Sequence, residues 1–173
     1  YHAAIACFKK AIEPFPGLTH LHSHHAQALY LGSCFTESLS EYQRVIELDQ
    51  DNRDAWNNVA FLMYHLGQIQ EAIVFLEDII ERDLGNYTTM PNMIIFQYHL
   101  HQNEDALQPY LEKFKTCIDY SFEGTKHLYQ SDLKLAELIL KEASNETTKD
   151  FYLKKIDGIK MMFSIADKLK KSQ

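Results

Sequence analysis

Apolar side chains along this chain return every three or four residues, stop at a glycine, and then resume. From Trp56 the series runs through Val59, Ala60 and Met63, the steps of a helix with one apolar face. Gly67 breaks it. A second helix follows, with Ala72, Phe75, Leu76, Ile79 and Ile80 as its apolar side, and Gly85-Asn86 closes it. Only six glycines and four prolines punctuate 173 residues, and helix formers fill the stretches between them. The chain is therefore predicted to be all-α.

The pattern has a period. Tyr30, Tyr64 and Tyr98 stand 34 residues apart. The same step joins Phe8, Tyr42, Leu76 and Tyr110, and also Ala4, Ser38, Ala72 and Ala106. Ile12, Ile46, Ile80 and Phe114 make a fourth column. Columns in register over most of the chain predict a repeated two-helix unit. Ala60 and Ala72 are small where the two helices of a unit are expected to cross, because a larger side chain would push the backbones apart. One such hairpin cannot cover its own apolar face, so the units must stack.

Residues 53–86 resemble the tetratricopeptide-repeat (TPR) family: Trp56, Val59, Ala60, Gly67, Ala72, Leu76 and Ile79 occupy its signature positions, and Leu84 replaces the usual proline. The preceding unit, 19–52, keeps Ala26, Leu29, Ser38, Tyr42 and Val45, but has His22 for the signature aromatic and His25 for a leucine. In the unit 87–120, Met90, Met93, Ala106 and Tyr110 fit, while Lys113 falls where a small apolar residue belongs. Residues 1–18 match only the second helix of a repeat. The resemblance covers residues 1–119 and implies a right-handed α-α superhelix of a half-repeat and three repeats. The chain starts mid-repeat and without Met, so it is expected to be part of a longer polypeptide.

From Gly124 the pattern no longer matches, and residues 120–173 read as a C-terminal capping helix pair or a degenerate repeat. Leu128, Leu135, Leu138 and Ile139 are expected inward on its first helix. Thr147 or Thr148 is the expected N-cap of the second, with Tyr152, Ile156, Ile159, Phe163 and Ala166 as its buried face. Lys168, Lys170 and Lys171 suit the negative end of that helix dipole. Pro91 is tolerable in a first helical turn, while Pro109 is expected to bend its helix.

In the TPR family, ligand contacts come from the inner face of the first helix of each pair. The resemblance carries this role to His20, Ser23, Gln27, Tyr30 and Leu31 in one unit. It carries it to Asp54, Asn57, Phe61, Tyr64 and His65 in the next, and to Thr88, Pro91, Ile95, Tyr98 and His99 in the third. Two readings of the tyrosine column stay open. The rings form a ladder along a concave, peptide-binding wall, or they pack between units with only their hydroxyls reaching solvent. None of these fifteen residues is Lys or Arg, so a groove for an acidic chain terminus is excluded. Asp54 is instead available for a lysine, an arginine or a peptide amine.

Four of the nine histidines fall within "HLHSHH", residues 20–25. His20 and His24 are four apart and His22 and His25 three apart, so either pair could share a metal ion. The pairs point in different directions, however, and no acidic or Cys ligand accompanies them at metal-site spacing. A busy helix face is favoured and no metal is expected, with His22 and His25 packed against the fragment helix around Phe8 and Ile12. The three cysteines, Cys7, Cys34 and Cys117, are too far apart for a CxxC site and read as reduced, mostly buried thiols. Cys34 lies on the order of 15 Å along the helix from the histidines, beyond the reach of a Cys–His pair. With no phosphate loop, GxSxG or HExxH, no catalysis and no cofactor are expected.

The net charge of −7 argues against a nucleic-acid partner. The charge is uneven: residues 1–119 carry seven basic and sixteen acidic side chains, and residues 120–173 ten lysines and eight acidic ones. No apolar run approaches the roughly 20 residues that cross a bilayer, so no membrane insertion is expected. The sequons at Asn86 and Asn145 have no visible signal sequence beside them, and a cytoplasmic location is expected. Two functions remain: a non-catalytic scaffold or adaptor binding a peptide or protein partner on its concave surface, or the substrate-recognition arm of a larger enzyme. The half-repeat also exposes Ile5, Phe8 and Ile12, a flank suited to self-association.

Overall fold

Helices start where the 34-residue register puts them. The computed structural model describes residues 1–83, 88–101, 107, 109–111 and 123–171, without the side chains of 123–125, 128 and 169–171. Among them are α1 (His2–Ile12), α2 (Thr19–Leu31), α3 (Phe35–Leu48), α4 (Arg53–His65) and α5 (Ile69–Glu81). They are followed by α6 (Thr89–His101), a helical fragment at 109–111, α7 (Glu123–Glu142) and α8 (Glu146–Lys171). No strand occurs among the described residues, and the protein is all-α. The chain divides into two compact units, residues 1–86 and 87–173. Leu84, the Gly85-Asn86 closure, the sequon at Asn86, Ala106, Lys113, Phe114 and Cys117 lie outside the described residues.

In the first unit, consecutive helices pack in order, α1 on α2, α2 on α3, α3 on α4 and α4 on α5. The starts of α2 and α4, at Thr19 and Arg53, are 34 residues apart, as are those of α3 and α5, at Phe35 and Ile69. The joints between them repeat bond for bond. After α2, the amides of Gly32, Ser33 and Cys34 donate to the carbonyls of Ala28, Tyr30 and Leu29. After α4, those of Leu66, Gly67 and Gln68 donate to Leu62, Tyr64 and Met63. These bonds satisfy carbonyls that a helix end would otherwise orphan. The turn needs a left-handed residue at its second position. Gly67 supplies it at φ 89°, whereas in the earlier joint glycine falls one place too soon and Ser33 takes φ 62°.

Small residues set the helix crossings. Ala26, Ser38, Ala60 and Ala72 are all fully buried. The Ser38 hydroxyl, standing where the next repeat has Ala72, donates to the Ala26 carbonyl at 2.8 Å. Leu62, Leu76 and Ile79 fill the spaces around these crossings, and burying each contributes about 1.5–3 kcal/mol. Trp56 closes the second hairpin: its indole N–H donates to the Gln50 carbonyl at 2.8 Å, its ring meets Phe75 at 5.2 Å, and Arg82 lies over it at 5.6 Å. Asn52 caps α4 by accepting from the Ala55 amide at 3.0 Å. Helix α1 has no buried residue of its own. Cys7 on it is exposed and Cys34 half-buried, correcting the expectation of buried thiols.

In the second unit, α6 is buried on nearly every side, from Pro91 through Gln97. Pro91 sits in the first turn, where its missing N–H is no loss. Gln97 donates to the Tyr110 hydroxyl at 2.8 Å, so the buried amide is satisfied. Helix α8 turns Tyr152, Ile156, Ile159 and Ala166 inward, as its spacing predicts, with Phe163 half-buried. Two expectations fail here. Asn145, not Thr147 or Thr148, caps α8, accepting from the Thr148 amide at 2.7 Å. Among the described side chains of α7, which leave out Leu128, Tyr129 and Ala136 are buried, while Leu138 is 53 % exposed and Leu135 is also exposed. The face of α7 was misplaced because leucines on a long amphipathic helix outnumber the positions that its neighbour α8 covers.

Candidate functional site

Residues of α2, α3 and α4 meet over a cavity of about 280 Å³ in the first unit. Helix α2 lends it Ser23, His24 and Gln27, the positions that follow one another along its outer turns. Tyr42 comes from α3, Asn52 from the connection, and Asp54, Ala55 and Asn58 from the first turns of α4. Asn52 therefore both caps α4 and walls the cavity. The lining is mostly amide and hydroxyl, with one carboxylate, and none of the eight residues is Lys or Arg. Burial, and secondarily the negative charge of Asp54, push the Tyr42 phenol up to about 12. Tyr42 thus stays protonated and feels the Asp54 carboxylate through the cavity wall.

Of the residues assigned to ligand contact by sequence, Gln27 and Asp54 come together here, while His20 is exposed one helical turn before His24. The His20 carbonyl accepts from the His24 ring at 2.6 Å, so the helix binds its own histidine. Further along the same helices, rings of α2, α3 and α4 form a chain. Tyr30, half-buried, meets Phe35 and Phe61, each at 6.1 Å; Phe61 meets His65 at 4.3 Å, and His65 meets Tyr64 at 4.7 Å. Tyr30 and Tyr64 are therefore linked through Phe61 and His65, one turn apart on α4. Tyr64 is only 3 % exposed, and Asn57, at 2 %, donates to the Arg53 carbonyl of its own helix. In this unit Gln27, Tyr30, Asp54 and Phe61 offer side-chain surface to a ligand.

Ile95, Tyr98 and His99 stand on α6 in the second unit. Ile95 is buried and lies against Gly158 of α8. Tyr98 and His99 are half-buried, their rings 5.8 Å apart. Burial holds the His99 ring below its ordinary value; the Asp157 carboxylate opposes this and Lys154 adds to it.

The histidine cluster is resolved by a residue that the sequence left unconnected. His22 and His25 turn ring nitrogens to Glu41 of α3, and on α1 it is His24 that stacks on Phe8, at 5.8 Å. His22 Nδ1 meets Glu41 Oε2 at 2.7 Å and its Nε2 meets the Pro16 carbonyl at 3.1 Å. His25 Nδ1 lies 3.2 Å from Glu41 Oε1, off the line of a hydrogen bond. These are direct nitrogen-to-oxygen contacts with no gap for an ion, and among the described residues no group of three or more His, Cys, Asp or Glu is set to hold a metal. His22 lies 19 residues before Glu41 on another helix, so only the packing of α3 on α2 reveals their contact. Tyr42 and Asn58 escaped for a related reason: Tyr42 belongs to a column of packing residues, and Asn58 to a position beside the ligand-facing ones.

Among the described residues no helix is long and apolar enough to cross a membrane. No curated protein matches the chain. The family model of the tetratricopeptide repeat matches residues 41–74, a span that runs from the middle of α3 through α4 to the middle of α5. That span is one period long and joins the two helices whose joints and crossings repeat. Residues 41–74 are thus similar to a tetratricopeptide repeat, the family that the columns of the sequence resemble.

Proposed function

We propose that this chain is a protein-interaction module that holds an extended segment of a partner on the face formed by α2 and α4. Repeats of this family generally mediate protein–protein interaction. The observation that carries the reading is the meeting of Gln27 of α2 and Asp54 of α4 at one cavity, with the ring contact of Tyr30 and Phe61 joining the same two helices. A polar recess, with half-buried aromatic rings further along the same two helices, offers hydrogen bonds to a peptide backbone and flat apolar area to its side chains. The right-handed stacking of repeats, with residues 120–173 as its closing pair, is part of the same proposal, and so is a scaffold or adaptor role.

The test is selection from a displayed library of random peptides, followed by affinity measurement on the whole chain. Gln27→Ala with Tyr30→Ala is expected to weaken the selected peptides about tenfold or more, the scale of residues central to an interface. Glu77→Ala, exposed on α5, is expected to leave them unchanged. Equal loss from both variants, or none from either, overturns the reading.

A further inference from the structure

The cavity between α2, α3 and α4 has a chemistry more specific than peptide binding in general. Its volume of about 280 Å³ leaves room for one long side chain. Asp54, an exposed residue, gives the lining its one carboxylate, and Ser23, Gln27 and Asn58 bring further oxygens to it. The flank of the cavity made by Ala55 and the Tyr42 ring is apolar. The surrounding unit, residues 1–86, carries five basic against twelve acidic side chains. A carboxylate or phosphate brought there would face this field without a cationic partner from the lining.

We propose that this cavity is the subsite for one arginine side chain of the bound peptide, its guanidinium set against the Asp54 carboxylate. The inference rests on the peptide-binding reading above. A guanidinium presents five N–H donors in a plane, so it can bond a carboxylate and still satisfy separate amide and hydroxyl oxygens. Its stem lies along apolar surface while the head stays at the polar end, which Ala55 and the Tyr42 ring permit. The weak hydration of a guanidinium relative to an ammonium also suits a recess that is partly closed. The Tyr42 phenol is raised by burial first and by the Asp54 charge second, in agreement with a carboxylate near this wall.

The experiment titrates the whole chain with N-acetyl-arginine methylamide and, separately, with the uncharged isostere N-acetyl-citrulline methylamide, followed by two-dimensional amide NMR. Saturable shifts are expected at the side-chain amides of Gln27 and Asn58 and at the Asp54 backbone amide. Citrulline is expected to bind about tenfold more weakly, and Asp54→Asn to bring arginine down to the citrulline level. The amide spectrum of Asp54→Asn shows whether it is folded, and Gln27→Leu, on the other wall, provides a second variant expected to weaken the probe. Equal binding of the two probes, or shifts centred away from these residues, overturns the assignment. The two proposals fail separately. Library peptides that bind through Gln27 and Tyr30 without enrichment of arginine remove the subsite alone, whereas a library yielding no peptide removes the peptide-binding reading even where the arginine probe saturates.

Discussion

The hydroxyl of Ser38 donates to the backbone carbonyl of Ala26 at 2.8 Å, inside a helix crossing where both residues are fully buried. One period later the same position is Ala72, so the space at the crossing is that of a small side chain and the bond is an addition to it. Ser38→Ala is expected to cost about 1 kcal/mol in urea unfolding, the net worth of one hydrogen bond. Ser38→Leu forces α2 and α3 apart and is expected to cost about 1–3 kcal/mol, with altered amide shifts along both helices.

Tyr42 gives the first unit an alkaline limit. Its phenol is raised to about 12, by burial first and Asp54 second, from an ordinary 10.0. The folded state favours the protonated form, so this contribution is whole below pH 10 and is lost as pH climbs through about 12. The loss is on the order of 2 kcal/mol. Asp54→Asn is expected to lower the Tyr42 midpoint while leaving it above the ordinary value, because burial remains. A difference ultraviolet titration against Tyr42→Phe measures both midpoints.

Gly158 and Ile95 are matched to one another. A Cβ at position 158 would sit 3.0 Å from Ile95 Cγ2, closer than ordinary contact. Gly158→Ala is expected to destabilise by about 1 kcal/mol, overpacking outweighing the gain in helix propensity. In an Ile95→Ala background the clash is gone and the same change is expected to stabilise by about 0.5–1 kcal/mol. A double-mutant cycle by thermal or urea unfolding reads the reversal of sign.

The two left-handed joints call for opposite substitutions. Gly67 at φ 89° has open space around its missing Cβ, so Gly67→Ala is penalised by backbone conformation alone, by about 1–2 kcal/mol. Ser33 already bears that strain at φ 62°, and Ser33→Gly is expected to gain about 0.5 kcal/mol after the added freedom of the unfolded chain is subtracted. Denaturant midpoints of the two variants should move in opposite directions.

His99 makes the second unit sensitive to acid. Burial lowers its pKa, Asp157 raises it and Lys154 lowers it. The folded state favours the neutral ring, so its contribution is present above the ordinary histidine value and falls as pH drops through the lower folded one. Asp157→Asn is expected to lower the His99 midpoint further, and Lys154→Gln to raise it. Imidazole proton shifts followed across the acid range check both directions.

The helices were legible because period and punctuation agree: the columns through Tyr30 and Ser38 place the starts of α2, α3, α4 and α5 in register. Burial at Ala60, Ala72 and Ile79 followed from the same spacing. Side-chain partners between helices were not legible. Glu41 meets two histidines, and Tyr42 walls the cavity, because α3 lies on α2; no spacing along the chain encodes that meeting. The face of α7 was lost for a different reason. Its leucines are spaced for burial, yet which of them is covered depends on the angle at which α8 crosses.

The duplicated joint has a consequence for how such a chain can grow or shrink. Excising residues 33–66 would bring Gly32 directly onto Gly67, and the three amides of the fused turn would find Ala28, Tyr30 and Leu29 as acceptors in the same order. Splicing in a further copy would be equally seamless. A connector that is interchangeable at this level lets the number of hairpins vary without redesign of the hairpins themselves.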